Sequence, residues 1–255
     1  MTEQTCQLCK RPAELSKSHI LPKLAYTDII DTTSHPRMVV VRDVAEGRIS
    51  DTSQQSGYWE RMLCKKCENQ FSKYETYASN HLLNANLQVP KITSERVVTL
   101  KVDDYRMLKL FLLSLLWRVG VAKGDFFRCV KLGPHQDRLR EMLHAEDPGE
   151  PDDYGCLITP LLPELDIRME SIVAMPHLTR TDGHNGCLLA FRGFVFQYYI
   201  SRHQIPAGVR QAFLNKNGEL MMVWARIGNF EPLRKLWNRC VKAIHRESRD
   251  EGVTS

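Results

Sequence analysis

Residues Met62 to Glu75 read MLCKKCENQFSKYE, and two patterns meet in them. Cys64 and Cys67 form a C-x-x-C pair, which sets two thiols on one tight turn. From Cys67 onward Phe71, Tyr74 and Ala78 recur at three- and four-residue spacing, which predicts a helix with one apolar face. The stretch therefore joins a metal-binding turn to a helix. A matching pair, Cys6 and Cys9 (CQLC), stands near the N-terminus. Two such turns complete a tetrahedron of sulfur around Zn²⁺ with no position left open for chemistry, so the pattern points to a structural site. A closed site of this kind supplies folding energy to a small module that lacks a core of its own. The 54 residues between Cys9 and Cys64 exceed what a compact zinc ribbon needs.

The expected compartment favours metal over disulfides. No basic start leads into an apolar run at Met1 to Cys6, and the longest apolar run, Leu108 to Trp117, is short and interrupted by Lys109 and Ser114. A cytoplasmic protein with no membrane span is expected, and in that compartment paired cysteines suggest a metal site. Cys129, Cys156, Cys187 and Cys240 are scattered singly in apolar segments and read as small buried hydrophobes. With 255 residues, 43% of them hydrophobic, the chain can bury a core of one or two domains. The net charge of +5 permits a polyanionic partner. Residues 1–80 carry 11 Lys/Arg against 10 Asp/Glu, so any such binding must come from local placement of charge.

Further along, Met38 to Val41 predicts a strand, Ser50 to Gly57 a polar loop, Asn80 to Ser94 a connection and Val97 to Val102 a strand. Asp103 is expected to cap a strong helix, Tyr105 to Val119, closed by Gly120. Apolar around most of its circumference, this helix should be central and buried. A helix from His135 to His144 and an acidic loop, Ala145 to Asp153, follow. Five strands are then expected: Cys156–Pro160, Arg168–Met175, Cys187–Arg192, Phe194–Ser201 and Leu220–Ile227. Phe194–Ser201 should be buried on both faces or lie at an interface. A helix from Pro232 to Arg246 closes the chain. The fold class expected is α+β, with a zinc module over 1–80 and a mixed α+β domain over 81–255.

Between the two cysteine pairs lies Ser18-His19-Ile20-Leu21-Pro22, and Glu68-Asn69 follows the last cysteine directly. The order CQLC, SHILP, MLCKKCEN resembles that of the HNH (ββα-metal, treble-clef) endonucleases, whose motifs run C-x-x-C, D-H-I-x-P, L-C-x-x-C and then a metal-binding residue. The resemblance covers residues 1 to about 80. It implies that Cys6, Cys9, Cys64 and Cys67 hold structural zinc, that His19 is the general base, and that Glu68 is a ligand of the catalytic metal, Mg²⁺ or Mn²⁺. Two departures stand out. The family's acidic residue before the histidine is Ser18 here, and its asparagine upstream of the second pair is missing from SGYWERML (Ser56 to Leu63). Asn69, Ser18 and Glu75 are the candidates for a second oxygen donor.

These residue types suit phosphodiester hydrolysis. A neutral imidazole removes a proton from water without adding charge, and a divalent cation with open positions neutralises the developing oxyanion. The resemblance implies a nick leaving a 5′ phosphate. Lys17, Lys23, Lys65 and Lys66, with Arg11 and Lys73, are the candidate phosphate contacts, whereas Tyr58 and Trp59 read as core packing. The other histidines show no metal spacing. The expected partner is DNA, although the motif does not separate DNA from RNA. The sequence leaves the oligomeric state open, though a paired cut in duplex DNA would need two active sites, as a homodimer provides. Phage defence is the expected context for this layout. The rival reading is a non-catalytic zinc module that binds nucleic acid or protein, and Ser18 in place of the acid is the feature that favours it.

Overall fold

The structure, a computed structural model, describes residues 4–26, 39–41, 57–85, 87–90, 96–164, 169–181, 183–200, 205–235 and 237–238. Near the N-terminus two short strands, β1 (Gln4–Thr5) and β2 (Pro12–Ala13), pair antiparallel and flank the first cysteine turn. β3 (Leu15–His19) follows, and after β4 (Val39–Val41) comes β5 (Trp59–Cys64). β3 and β5 are antiparallel, running from Leu15 opposite Cys64 to His19 opposite Trp59, with a bulge between Ser16 and Lys17. The extra residue of a bulge re-aims the side chains that follow it: Leu15 and Ser18 are both buried, although strict alternation would put them on opposite faces. Two residues before β5 lies Gly57, whose φ of +66° and closeness to the Tyr26 ring leave no room for a Cβ.

α1 (Lys65–Ala78) begins directly where β5 ends, with Cys64 at its N-cap, two residues earlier than the apolar period suggested. It buries Cys67, Phe71, Tyr74 and Ala78. After β6 (Val97–Lys101) comes α2 (Tyr105–Val121), in which every residue from Leu108 to Gly120 is buried. Fully burying each leucine here contributes about 1.5–3 kcal/mol, so this helix is the axis of the core.

Two details of α2 differ from expectation. Its cap is Asp104, whose carboxylate accepts from the Met107 N–H at 3.0 Å. Asp103 instead accepts from the Tyr77 hydroxyl of α1. Gly120 does not end the helix, which runs on to Val121. A Cβ at Gly120 would lie 2.2 Å from the Leu132 side chain, so the glycine admits a close neighbour and stops nothing.

α3 (His135–Ala145) and β7 (Cys156–Pro160) match the expected spans to within a residue. The main sheet then forms from β8 (Ile172–Thr181), β9 (His184–Phe191) and β10 (Phe194–Tyr199), in the order β4-β8-β9-β10-β7. β8 starts four residues later than expected, because Met169–Ser171 form a 3-10 turn and Arg168 lies outside the described residues. β10 is an inner strand buried on both sides. Phe194, Phe196 and Tyr198 face the α2 core, while Val195 faces a second cluster with Leu161, Ile227 and Trp237.

After the short α4 (Ala207–Arg210), β11 (Glu219–Val223) pairs with β6. It ends before Ile227, which opens a 3-10 turn. Residues 231–235 and 237–238 are helical, and the rest of the expected closing helix lies outside the described residues, as do most of the expected Ser50–Gly57 loop and Cys240. The chain mixes helices with sheets whose strand pairs are antiparallel except for the parallel β4–β8 pair, consistent with α+β. No helix among the described residues is long and apolar enough to cross a membrane.

One apolar core runs across residue 80. Phe71 of α1 meets Trp117 of α2 edge-on, with ring centroids 5.9 Å apart, and the Tyr198 hydroxyl donates to the Leu112 carbonyl at 2.9 Å. Within this core Lys109 is only 2% exposed and donates to the Pro151 carbonyl at 3.1 Å. Burial pulls its ammonium down to about 8 from 10.5, against the pull of Cys156, Asp153 and Asp152. The unfolded chain therefore binds this proton more tightly, and the mismatch costs roughly 3 kcal/mol at neutral pH, a cost that fades as pH rises from about 8 toward 10.5. Lys109→Met should accordingly gain stability over the parent by about 2 kcal/mol more at pH ~7 than at pH ~9.5. Paired denaturant titrations at the two pH values measure this, and a pH-independent difference would show that the amine keeps its ordinary proton affinity.

Candidate functional site

The two cysteine turns converge. The Sγ atoms of Cys6, Cys9, Cys64 and Cys67 all lie within 4.8 Å of one another, and Cys9 Sγ is 3.9 Å from Cys64 Sγ. Four sulfurs at about 2.3 Å from a central ion would be about 3.8 Å apart, so the cluster is positioned to hold a metal ion and its size is compatible with zinc. The backbone shapes it. The Lys10 N–H donates to the Cys6 carbonyl at 2.9 Å with Lys10 at φ +58°, the Gln7 N–H donates to the Met62 carbonyl at 2.8 Å, and the Cys64 N–H reaches Cys6 Sγ at 3.4 Å.

Burial raises the thiols of Cys6 and Cys67. At Cys64 burial also pushes upward, but hydrogen bonds from the Cys67 backbone and from the other thiols outweigh it and bring the group to about 7. Exposed Lys65 and Lys66 sit in the first turn of α1, where the helix dipole disfavours cations. Four thiolates on a divalent ion would leave a net charge of about −2, which these lysines offset.

Beside the cluster, β3 and α1 bring Ser18 and Glu68 into contact. The buried Ser18 hydroxyl donates to Glu68 Oε2 at 2.6 Å. Burial raises the Glu68 carboxyl and Glu75 adds to this, while the Ser18 hydrogen bond and the charges of Arg118 and His19 pull the other way. His19 is half-buried at the end of β3, opposite Trp59. Its carbonyl accepts from Arg118 Nη1 at 2.8 Å, and the same nitrogen holds Glu75 Oε1 at 2.5 Å. Glu75, a candidate oxygen donor in the sequence, is therefore engaged by an ion pair.

The other expected residues are spread around this centre. Asn69 is exposed on α1, and Lys17, Lys23, Arg11 and Lys73 are exposed as well. Tyr58 packs as expected, stacked on Phe126 at 4.2 Å. Trp59 does not pack into the core: it is 37% exposed, with the Lys17 ammonium 4.1 Å above its ring. Cys129, expected to be buried, is exposed, its thiol donating to the Pro176 carbonyl at 2.8 Å. Cys156 and Cys187 are buried.

Sequence reading passed over Arg118. The signal was present, since Arg118 is a lone guanidinium in the apolar run LFLLSLLWRVG, where a charge survives only if other parts of the chain supply partners. The chain matches no protein-family model, no curated protein and no solved structure.

Proposed function

We propose that the chain is a metal-dependent endonuclease of the HNH type that hydrolyses phosphodiester bonds of DNA, built on a ββα module with structural zinc at Cys6, Cys9, Cys64 and Cys67. The observation that carries the reading is the contact of Ser18 with Glu68. Residues 50 positions apart are joined by a hydrogen bond at the spots where the motif order calls for metal ligands, and His19 is the next residue along β3.

In this reading His19 takes a proton from the attacking water, while its held carbonyl and the β3–β5 pairing keep the imidazole in place. A divalent cation, Mg²⁺ or Mn²⁺, would rest on Glu68, with Ser18 or Asn69 as the further oxygen donor, and would supply charge neutralisation at the developing oxyanion. The donors fit a hard cation, being a carboxylate, a hydroxyl and an amide. Lys17, Lys23, Lys65 and Lys66 are exposed around the module and suit phosphate contacts. Phage defence remains the proposed setting.

A second reading has an observation of its own. The Ser18 hydroxyl occupies one oxygen of Glu68, where an acidic residue would instead have shared a cation. A zinc-stabilised module that binds nucleic acid or protein without cutting fits that arrangement. Supercoiled plasmid with Mg²⁺ or Mn²⁺ separates the two. The nuclease nicks it, EDTA stops the reaction, and Glu68→Gln lowers the rate by about 100-fold or more, several kcal/mol of lost charge stabilisation. A folded, zinc-loaded protein that never nicks leaves the binding module.

A further inference from the structure

Arg118 lies on α2, outside the residues that carry the nuclease motifs, and is 2% exposed. All three of its nitrogens are engaged. Nη1 serves His19 O at 2.8 Å and Glu75 Oε1 at 2.5 Å, Nε donates to Ser114 O at 3.3 Å, and Nη2 donates to Ser114 Oγ at 3.4 Å. One face of the guanidinium lies over the Phe71 ring, 5.5 Å from its centroid. Three elements therefore meet at one planar group: the last residue of β3, the middle of α1, and α2 itself.

A buried charge is a poor way to stabilise a helix, since a well-packed apolar side chain of similar size does as well or better. What a planar, multi-donor group offers instead is fixed geometry. Here its two shared partners are the backbone of His19 and a carboxylate two helical turns along α1 from Glu68.

We propose that Arg118 is a positioning residue that clamps the His19 end of β3 to α1 and thereby sets the imidazole against Glu68. This deepens the nuclease reading and rests on it for the catalytic consequence. It makes the central helix of residues 81–255 a required component of a site whose motifs all lie in residues 1–80. Arg118 touches no substrate. It acts through the His19 carbonyl and through Glu75.

The test uses the full chain with Arg118→Met and Arg118→Lys, each assayed for zinc content, hydrogen exchange and plasmid nicking. In Arg118→Met, exchange should quicken locally in peptides covering 15–20 and 59–64, while peptides from the β8–β10 sheet keep their protection. Nicking per zinc-loaded molecule should fall roughly 10- to 100-fold in kcat, the scale set by misplacing a base by about 1 Å, with KM for DNA unchanged. Arg118→Lys keeps the charge and can reach one partner, so it should recover part of both effects. If Arg118→Met does not fold, the lysine variant alone shows the local loosening and an intermediate kcat.

Unchanged exchange at 15–20, loosening spread evenly over the whole chain, or kcat within about twofold of the parent would each overturn the proposal. Local loosening in Arg118→Met beside a parent that never nicks would uphold the clamp and remove the nuclease reading, so the two fail separately.

Discussion

Cys64→Ser is expected to strip the chain of bound zinc and to lower its melting temperature by roughly 10 °C or more. The size follows from what Cys64 joins. It ends β5, stands at the N-cap of α1, and sets its Sγ among those of Cys6, Cys9 and Cys67, so a metal held there would tie the strand and the helix to the first cysteine turn. Structural zinc sites contribute apparent free energies of about 10–16 kcal/mol, comparable with the whole stability of a domain. Losing even a third of that shifts the midpoint by about 2–4 °C per kcal/mol in a chain of this size.

The damage should not stay in the first 80 residues, because Phe71 and Tyr74 of α1 belong to the same core as α2. Elemental analysis and calorimetry measure the two effects. Cys129→Ser is the control, since that thiol lies apart from the cluster, and it should keep its zinc. Full zinc content and an unchanged melt in Cys64→Ser would remove the metal centre from the account, and with it the frame that holds β3 against α1.

The second large effect is on chemistry. His19→Ala should reduce nicking by about 10²- to 10⁴-fold, the usual worth of a positioned general base, while leaving zinc content and melting temperature close to those of the parent. The fold should tolerate the change because the structural ties at this position are made by the backbone: the His19 carbonyl accepts from Arg118, and the strand pairs with Trp59. An alanine keeps both. Rates must be normalised to zinc-loaded protein, so that a lost base is not confused with a lost fold. Cleavage that survives His19→Ala at the parental rate would place the activity elsewhere. Loss of nicking together with loss of zinc would give His19 a structural role.

These two residues also differ in how readily the sequence announced them. The cysteine pairs were legible because each is a local pattern: a turn of four residues brings two sulfurs together whatever surrounds it. The buried helix over 105–121, the helix from His135 and the strand Cys156–Pro160 were legible for the same reason, since hydrophobic period is a property of neighbours along the chain. Cap choice was less so. Asp103 and Asp104 have equal claims locally, and the Tyr77 hydroxyl, arriving from another helix, takes the first and leaves the second to cap α2. Gly120 looked like a stop because glycine so often is one, but the nearby Leu132 side chain decided its role. Exposure of Trp59 and Cys129 likewise depended on which elements came to cover them, and composition does not carry that information.

By itself, then, the sequence determined the four clustered cysteines, the order of the longer helices and strands between Val97 and Val223, and the candidates His19 and Glu68. Only the tertiary structure decided that Ser18 bonds to Glu68, that Glu75 is held in an ion pair, and that a guanidinium 99 residues from His19 grips its carbonyl. The reason is physical. Turns and periods are written in adjacent residues, whereas a buried charge is stable only among partners gathered from distant segments, and their identity is settled when the core closes around them.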